Sequence, residues 1–308
     1  MYDQELSSIV DAAFSRIHVE MQRTAPNMAQ RVHNWMTDLY GTEPEARFKH
    51  PLAFPMLLFP WWLERTVHQH PDTAFQADLV YSTVNGYYFI RLIDNLMDGH
   101  ATVELKLLPA LGFFHTQFQA AYQRYFPHGH PFWAVFERVW FRSAEATIVD
   151  ADLADLSQEQ FVRVAANKTC AAKIPVVAVC CRYERQDLIA PWSRFLDLFG
   201  RWHQMWNDVF TWRRDIEQGT RTYFLSEADR RKSATQSATE WVMWEGFDWG
   251  ISLLQEWMDD LRAAASHLKS EDVAGYLDER ETMLAEQREQ VVAGLQSAVE
   301  LLELLEQT

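Results

Sequence analysis

Asp94-Asn-Leu-Met-Asp98 and Asn207-Asp-Val-Phe-Thr211-Trp-Arg-Arg-Asp215 are the two stretches that decide how this chain reads. Each lies in an apolar, aromatic-rich segment with helical periodicity. Asp94 and Asp98 are four residues apart, and Asn207, Thr211 and Asp215 repeat that spacing twice. A spacing of four on a helix stacks side chains on one face. Rows of oxygen donors suit Mg²⁺, which prefers hard oxygens, retains waters and is often shared with substrate phosphates. Two such rows facing one another across a helical bundle would hold a diphosphate through metal ions.

Working outward, the rest of the chain supports helices. Gly and Pro number only 11 each in 308 residues, and no stretch sustains period-two alternation. Helices are predicted roughly over 3–24, 28–40, 51–69, 72–98, 102–125, 131–149, 157–183, 187–218, 237–267 and 270–306. Pro175 predicts a kink inside the seventh, and Gly219 a C-terminus for the eighth. His128-Gly-His130, between Pro127 and Pro131, reads as a loop. No linker, repeat or composition shift marks a boundary, so the expectation is one domain over 1–308, an all-α bundle around a central cavity.

Composition narrows the function. Hydrophobic residues make up 48%, enough for a large core. The formal net charge of −15 argues against nucleic-acid binding and against docking on an anionic membrane. An acidic protein that binds a diphosphate needs local cations, which metal ions would supply. Thirteen Trp and 19 Phe fit either a large aromatic core or a pocket whose π faces stabilise a carbocation. Cys170, Cys180 and Cys181 form no disulfide framework. The N-terminus has no signal pattern, and the apolar run from Pro51 to Leu63 is too short to span a bilayer. The expectation is a cytoplasmic protein without membrane insertion.

Around the two rows, Tyr87, Phe89 and Ile90 lie about one to two turns before Asp94, and Trp202, His203 and Trp206 precede Asn207. They are the candidate pocket residues, with charged heads above and hydrocarbon below. Arg163 and Lys168 lie on a predicted helix between the rows, and Arg221 and Tyr223 follow Gly219. These four are candidates for direct diphosphate contact. Arg221 and Tyr223 are placed to close over the site as a lid, while Arg213 and Arg214 are expected in surface pairs with Asp208 or Glu217.

The sequence resembles the class I isoprenoid synthase superfamily over about residues 45–290. Leu92-Ile-Asp-Asn-Leu-Met-Asp98 is similar to the first aspartate-rich motif of trans-prenyl diphosphate synthases. Lys168-Thr169 is similar to their diphosphate-binding pair, and Phe199 to Thr211 to the helix bearing their second motif. Asn95 and Asn207 replace aspartates of those motifs, and Thr211 stands where another is expected. Asn207, Thr211 and Asp215 instead resemble the Asn-Ser/Thr-Glu metal triad of terpene cyclases, with Arg163 near the position of their diphosphate-sensing arginine. The segment that holds isopentenyl diphosphate in elongating enzymes is reduced to Phe48-Lys-His-Pro-Leu52.

The resemblance implies three Mg²⁺ ions held by Asp94, Asp98, Asn207, Thr211 and Asp215, an allylic prenyl diphosphate substrate with C15–C20 favoured, and a homodimer. Losing the co-substrate segment points to a terpene cyclase that ionises one diphosphate to a cyclising carbocation. The alternatives are a prenyltransferase or squalene/phytoene synthase-like condensing enzyme, for which Thr220 to Leu225 supplies a faint match, and a non-catalytic partner subunit.

Overall fold

The reason for helices throughout is visible in the longest apolar segment. Residues 73–97 contain no proline and one glycine, and their large side chains recur on every face. In a computed structural model of the chain they form a helix buried on nearly all sides. The structure describes residues 1–39, 41–97, 105–152 and 155–306; side chains are described up to 294, except those of 151 and 152. Among the described residues there is no strand, as the scarcity of glycine and proline predicts.

Helices α1 (Gln4–Thr24), α2 (Pro26–Asp38), α3 (Pro44–Lys49), α4 (Leu58–Val67), α5 (Thr73–Met97), α6 (Leu108–Gln123) and α7 (Pro131–Asp152) lead to α8 (Gln158–Lys168) and α9 (Lys173–Arg182). They are followed by α10 (Ile189–Gln218), α11 (Tyr223–Arg231), α12 (Ala238–Trp241), α13 (Phe247–Ser266) and α14 (Glu271–Glu306). Two compact units result: residues 1–148 with 167–196, and residues 149–166 with 197–308. The division falls within helices, which is why no linker marks it in the sequence.

In the first unit α5 packs on α1 and α6. Contact with α6 is close because Gly86 has no side chain: a Cβ there would lie 2.9 Å from the Phe118 ring. The Ser82 hydroxyl donates to the Phe118 carbonyl at 2.7 Å, satisfying a polar group that has no access to water. Glu64 of α4, fully buried, accepts hydrogen bonds from the Asp72 backbone N–H (2.9 Å), the Gln76 amide and the Tyr183 hydroxyl. One carboxylate thereby ties α4 to the start of α5 and to the residue that ends α9. In the second unit the core is aromatic: Phe161, Trp202, Tyr223, Phe224, Trp241 and Trp257 are buried.

Several boundaries differ from those predicted, for local reasons. The helix predicted over 157–183 breaks at 169–172, where a 3₁₀ turn separates α8 from α9. Pro175 therefore sits in the first turn of α9, where its missing N–H costs nothing, and no kink is needed. The segment predicted to start at 51 becomes helical only at Leu58, after Pro51 and Pro55. Helices α3 and α11 were not expected; Pro44 starts one, and the Thr222 hydroxyl caps the other by accepting from Leu225 N–H at 3.2 Å. The helix predicted over 237–267 contains a π turn at Val242–Gly246, where the Trp241 ring packs directly over Gly246. No single helix among the described residues is long and apolar enough to cross a membrane.

Gly86→Ala tests the α5–α6 contact. The added methyl must displace the Phe118 ring, and overpacking of this kind costs about 1–3 kcal/mol. A lowered thermal midpoint is the expected result; an unchanged one would mean that α6 accommodates the methyl freely.

Candidate active site

The first row sits at the end of α5. Asp94 is half-buried, and the Arg91 guanidinium donates to its carboxylate at 2.9 Å, one turn earlier on the same helix. Asp98, its predicted partner, lies outside the described residues. Asn95 turns the other way: it is 1% exposed, and its carbonyl oxygen has no hydrogen-bond partner among the described residues. The departure from the aspartate-rich motif at Asn95 is therefore a core position, not a gap in the row.

Tyr87, Phe89 and Ile90 are half-buried. Tyr87 packs edge-on against Phe48 with ring centres 4.9 Å apart. Phe89 packs against His115 of α6 at 5.3 Å and Trp140 of α7 at 5.4 Å. Trp140 in turn lies 4.6 Å from Phe118. The aromatic patch below Asp94 is thus built by three helices. His115, an imidazole within it, was not picked out from the sequence, because a single histidine on α6 carries no local signal. Lys49, the cation of the 48–52 segment, is engaged by Asp11 of α1. Lys168 ends α8, its carbonyl accepting from the Ser143 hydroxyl at 3.4 Å.

The second row lies along the C-terminal half of α10. Asn207 and Thr211 are half-buried, and Asp215 is 5% exposed. The Thr211 hydroxyl is 2.8 Å from both the Asn207 carbonyl and the Asp215 carboxylate, and its single proton can go to either. The Arg214 guanidinium reaches the other Asp215 oxygen at 3.7 Å. A carboxylate buried one turn from a helix C-terminus opposes the helix dipole, so this position favours a cation. Three oxygen types in one row, with a single carboxylate, match the donor set that Mg²⁺ prefers.

Beyond this row α10 ends as the sequence predicts. Gly219 adopts φ +67°, its N–H donates to the Ile216 carbonyl at 3.1 Å, and the Thr220 N–H donates to the Asp215 carbonyl at 2.8 Å. This is a Schellman closure, which only glycine enters without strain.

Other candidates in the second unit are placed differently from expectation. Arg163 is exposed on α8, and Arg221 is exposed in the turn after α10. Tyr223 does not form a lid: it is 2% exposed, stacked on Phe161 at 4.8 Å, because α11 starts there and turns its ring into the core. Trp202 is fully buried, and its indole N–H donates to the Leu254 carbonyl at 3.0 Å. Trp206 is buried against Trp202 and Phe210, while His203 is half-buried and stacked on Phe199.

Asp208 was expected on the surface and is instead 2% exposed. It accepts from the Gln204 amide at 2.9 Å. Burial pushes its carboxyl up to about 7, and the charge of Asp215 adds to this, while the Gln204 amide and the nearby backbone N–H groups of Tyr223 and Phe224 work the other way. Arg213 lies over its neighbour Trp212 instead of pairing with Asp208.

No protein-family model matches the sequence, and no curated protein matches it. Solved structures do. A decaprenyl diphosphate synthase from Rhodobacter capsulatus superposes with a TM-score of 0.68 at 13% identity, covering 92% of this chain and 97% of that one. A geranylgeranyl pyrophosphate synthetase from the archaeon Geoglobus acetivorans gives 0.64 at 14%, covering 92% and 99%. A polyprenyl synthetase from Streptomyces coelicolor A3(2) gives 0.56 at 17%, covering 92% and 98%. The chain therefore has the all-α isoprenoid synthase fold.

The raised Asp208 carboxyl makes a prediction about stability. The folded state binds this proton more tightly than the unfolded chain, whose ordinary Asp value is about 3.9. The stability so contributed is fully present below about pH 4 and is lost as pH rises through about 7. Asp208→Asn removes the titration, so denaturant titrations from pH 4 to 7 should show the wild type losing stability relative to the variant. A difference that stays constant with pH would contradict the assignment.

Proposed function

We propose that this chain is a Mg²⁺-dependent enzyme that ionises an allylic prenyl diphosphate. The observation that carries the reading is the oxygen row of Asn207, Thr211 and Asp215, with its buried carboxylate at a helix C-terminus. Asp94 on α5, with Asp98 beyond the described residues, is the second group of proposed metal ligands. The metal, when bound, supplies positive charge that stabilises the departing diphosphate. Thr211 orients the Asp215 carboxylate through its hydroxyl. Arg163, Lys168 and Arg221 are proposed to contact phosphoryl oxygens directly, as fixed cations suited to the charge that develops there. The aromatic patch of Phe89, His115 and Trp140 is proposed to receive the hydrocarbon tail and to exclude water from the carbocation.

The neighbours in fold are named as prenyl diphosphate synthases, which supports prenyl transfer as the fate of the carbocation. Cyclisation is the second reading. It is supported by Lys49, whose pairing with Asp11 occupies the remaining co-substrate cation, and by Thr211 in place of an aspartate.

Products decide between them. Incubation with Mg²⁺ and the C10, C15, C20 or C25 allylic diphosphates, with and without isopentenyl diphosphate, is read by mass spectrometry. Extension of the chain identifies a transferase, and a cyclic product from one substrate identifies a cyclase. Asp94→Ala and Asp215→Ala should each lower diphosphate release at least about a hundredfold while helix content stays intact. No Mg²⁺-dependent release from any of these substrates would remove both readings and leave a non-catalytic subunit.

A further inference from the structure

The first unit carries a cleft that the proposed chemistry does not use. It lies among α1, α2 and α3 and has a volume of about 600 Å³, within the range of roughly 300–1,000 Å³ that small-molecule sites occupy. Helices α1 and α2 are joined by Ala25 alone and pack on each other, so residues about equally far from Ala25 meet. His18 and His33 show this, with ring centres 5.8 Å apart in edge-to-face contact. Both rings are exposed and form the sides of the cleft at its middle. The floor is apolar: Ile17, Met21, Ala29, Val32 and Met36 line it, and none is more than 5% exposed. The core holds these side chains from behind, so the floor is preformed.

The cleft changes character along its length. The end nearest the α1–α2 turn carries Met21 and Ala29, and the other end carries Asp11, Glu43 and Glu45. Asp11 and Met21 are separated by about 15 Å along α1, at 1.5 Å per residue. Among the described residues no lysine or arginine lines the cleft. Lys49 of α3 engages Asp11, whereas Glu43 and Glu45 have no ion-pair partner among the described residues. One end thus presents negative charge, and a greasy track leads away from it. We propose that this cleft binds a linear organic cation, an alkylammonium, with its head at Glu43 and Glu45 and its tail running past the histidine pair to Met21. Methionine suits such a tail, because its unbranched thioether adapts to the shape it meets. Anionic amphiphiles, prenyl diphosphates included, are repelled by the acidic end. The site is therefore a second one with the opposite charge preference, and it does not depend on the function proposed above.

Calorimetric titration of the full chain with octylammonium, octanol and octanoate holds the tail constant and varies the head. Octylammonium should bind one to one and at least about tenfold more tightly than octanoate, with octanol between them. Butylammonium should bind at least about tenfold more weakly than octylammonium, since each buried CH₂ is worth up to about fourfold. Glu43→Gln combined with Glu45→Gln should weaken octylammonium about fivefold and leave octanol unchanged. Glu43 is exposed and Glu45 half-buried, so this variant keeps its fold. Equal affinity for the three head groups, no gain from butyl to octyl, or an octylammonium affinity that the double variant leaves intact would each overturn the proposal. So would a protein that ignores octylammonium and binds an amphipathic Lys/Leu peptide instead, which would make this face a groove for a partner helix.

Discussion

Two carboxylates buried on the C-terminal half of one helix set the constraint on which the second unit depends. Asp215 lies in the last turn of α10, where the helix dipole disfavours negative charge, and its charge adds to the cost of ionising the buried Asp208. The fold answers them differently. Asp208 is shielded from water and met by the Gln204 amide one turn earlier on the same helix. Asp215 is met by a threonine hydroxyl and the edge of an exposed arginine. Burial thus favours the neutral form of Asp208, a poor metal ligand, while Asp215 stands in the oxygen row as the candidate ligand.

That distinction was out of reach of the sequence. The spacing of Asn207, Thr211 and Asp215 was legible because α10 is regular and unbroken across it, and the Schellman closure at Gly219 followed from glycine chemistry alone. Asp208 was misplaced because its burial depends on α11, which begins only after a sharp turn and was not expected. The same missing helix explains Tyr223: read as following the helix into a loop, it looked free to close over a ligand, whereas as the first residue of α11 its ring enters the core.

The first unit shows the complementary case. The all-α fold and the course of α5 were legible from composition and periodicity, since neither depends on a distant contact. The aromatic patch below Asp94 was legible in part: Phe89 was identified, but His115 and Trp140 come from two other helices and converge only in three dimensions. In the 48–52 segment, Lys49 has a carboxylate partner in Asp11 on α1. Departures from the aspartate-rich motifs are likewise of two kinds. Asn95 is a core residue whose identity matters to packing, while Asn207 and Thr211 stand in the row itself and change its charge.

Locating a metal ion tests the central claim most directly. Crystals grown with Mn²⁺ in place of Mg²⁺ and with pyrophosphate should give an anomalous peak bonded to side-chain oxygens of Asn207, Thr211 and Asp215, with none at Asp208. An anomalous peak at Asp208, or the absence of any peak along α10 in crystals that contain pyrophosphate, would contradict the account.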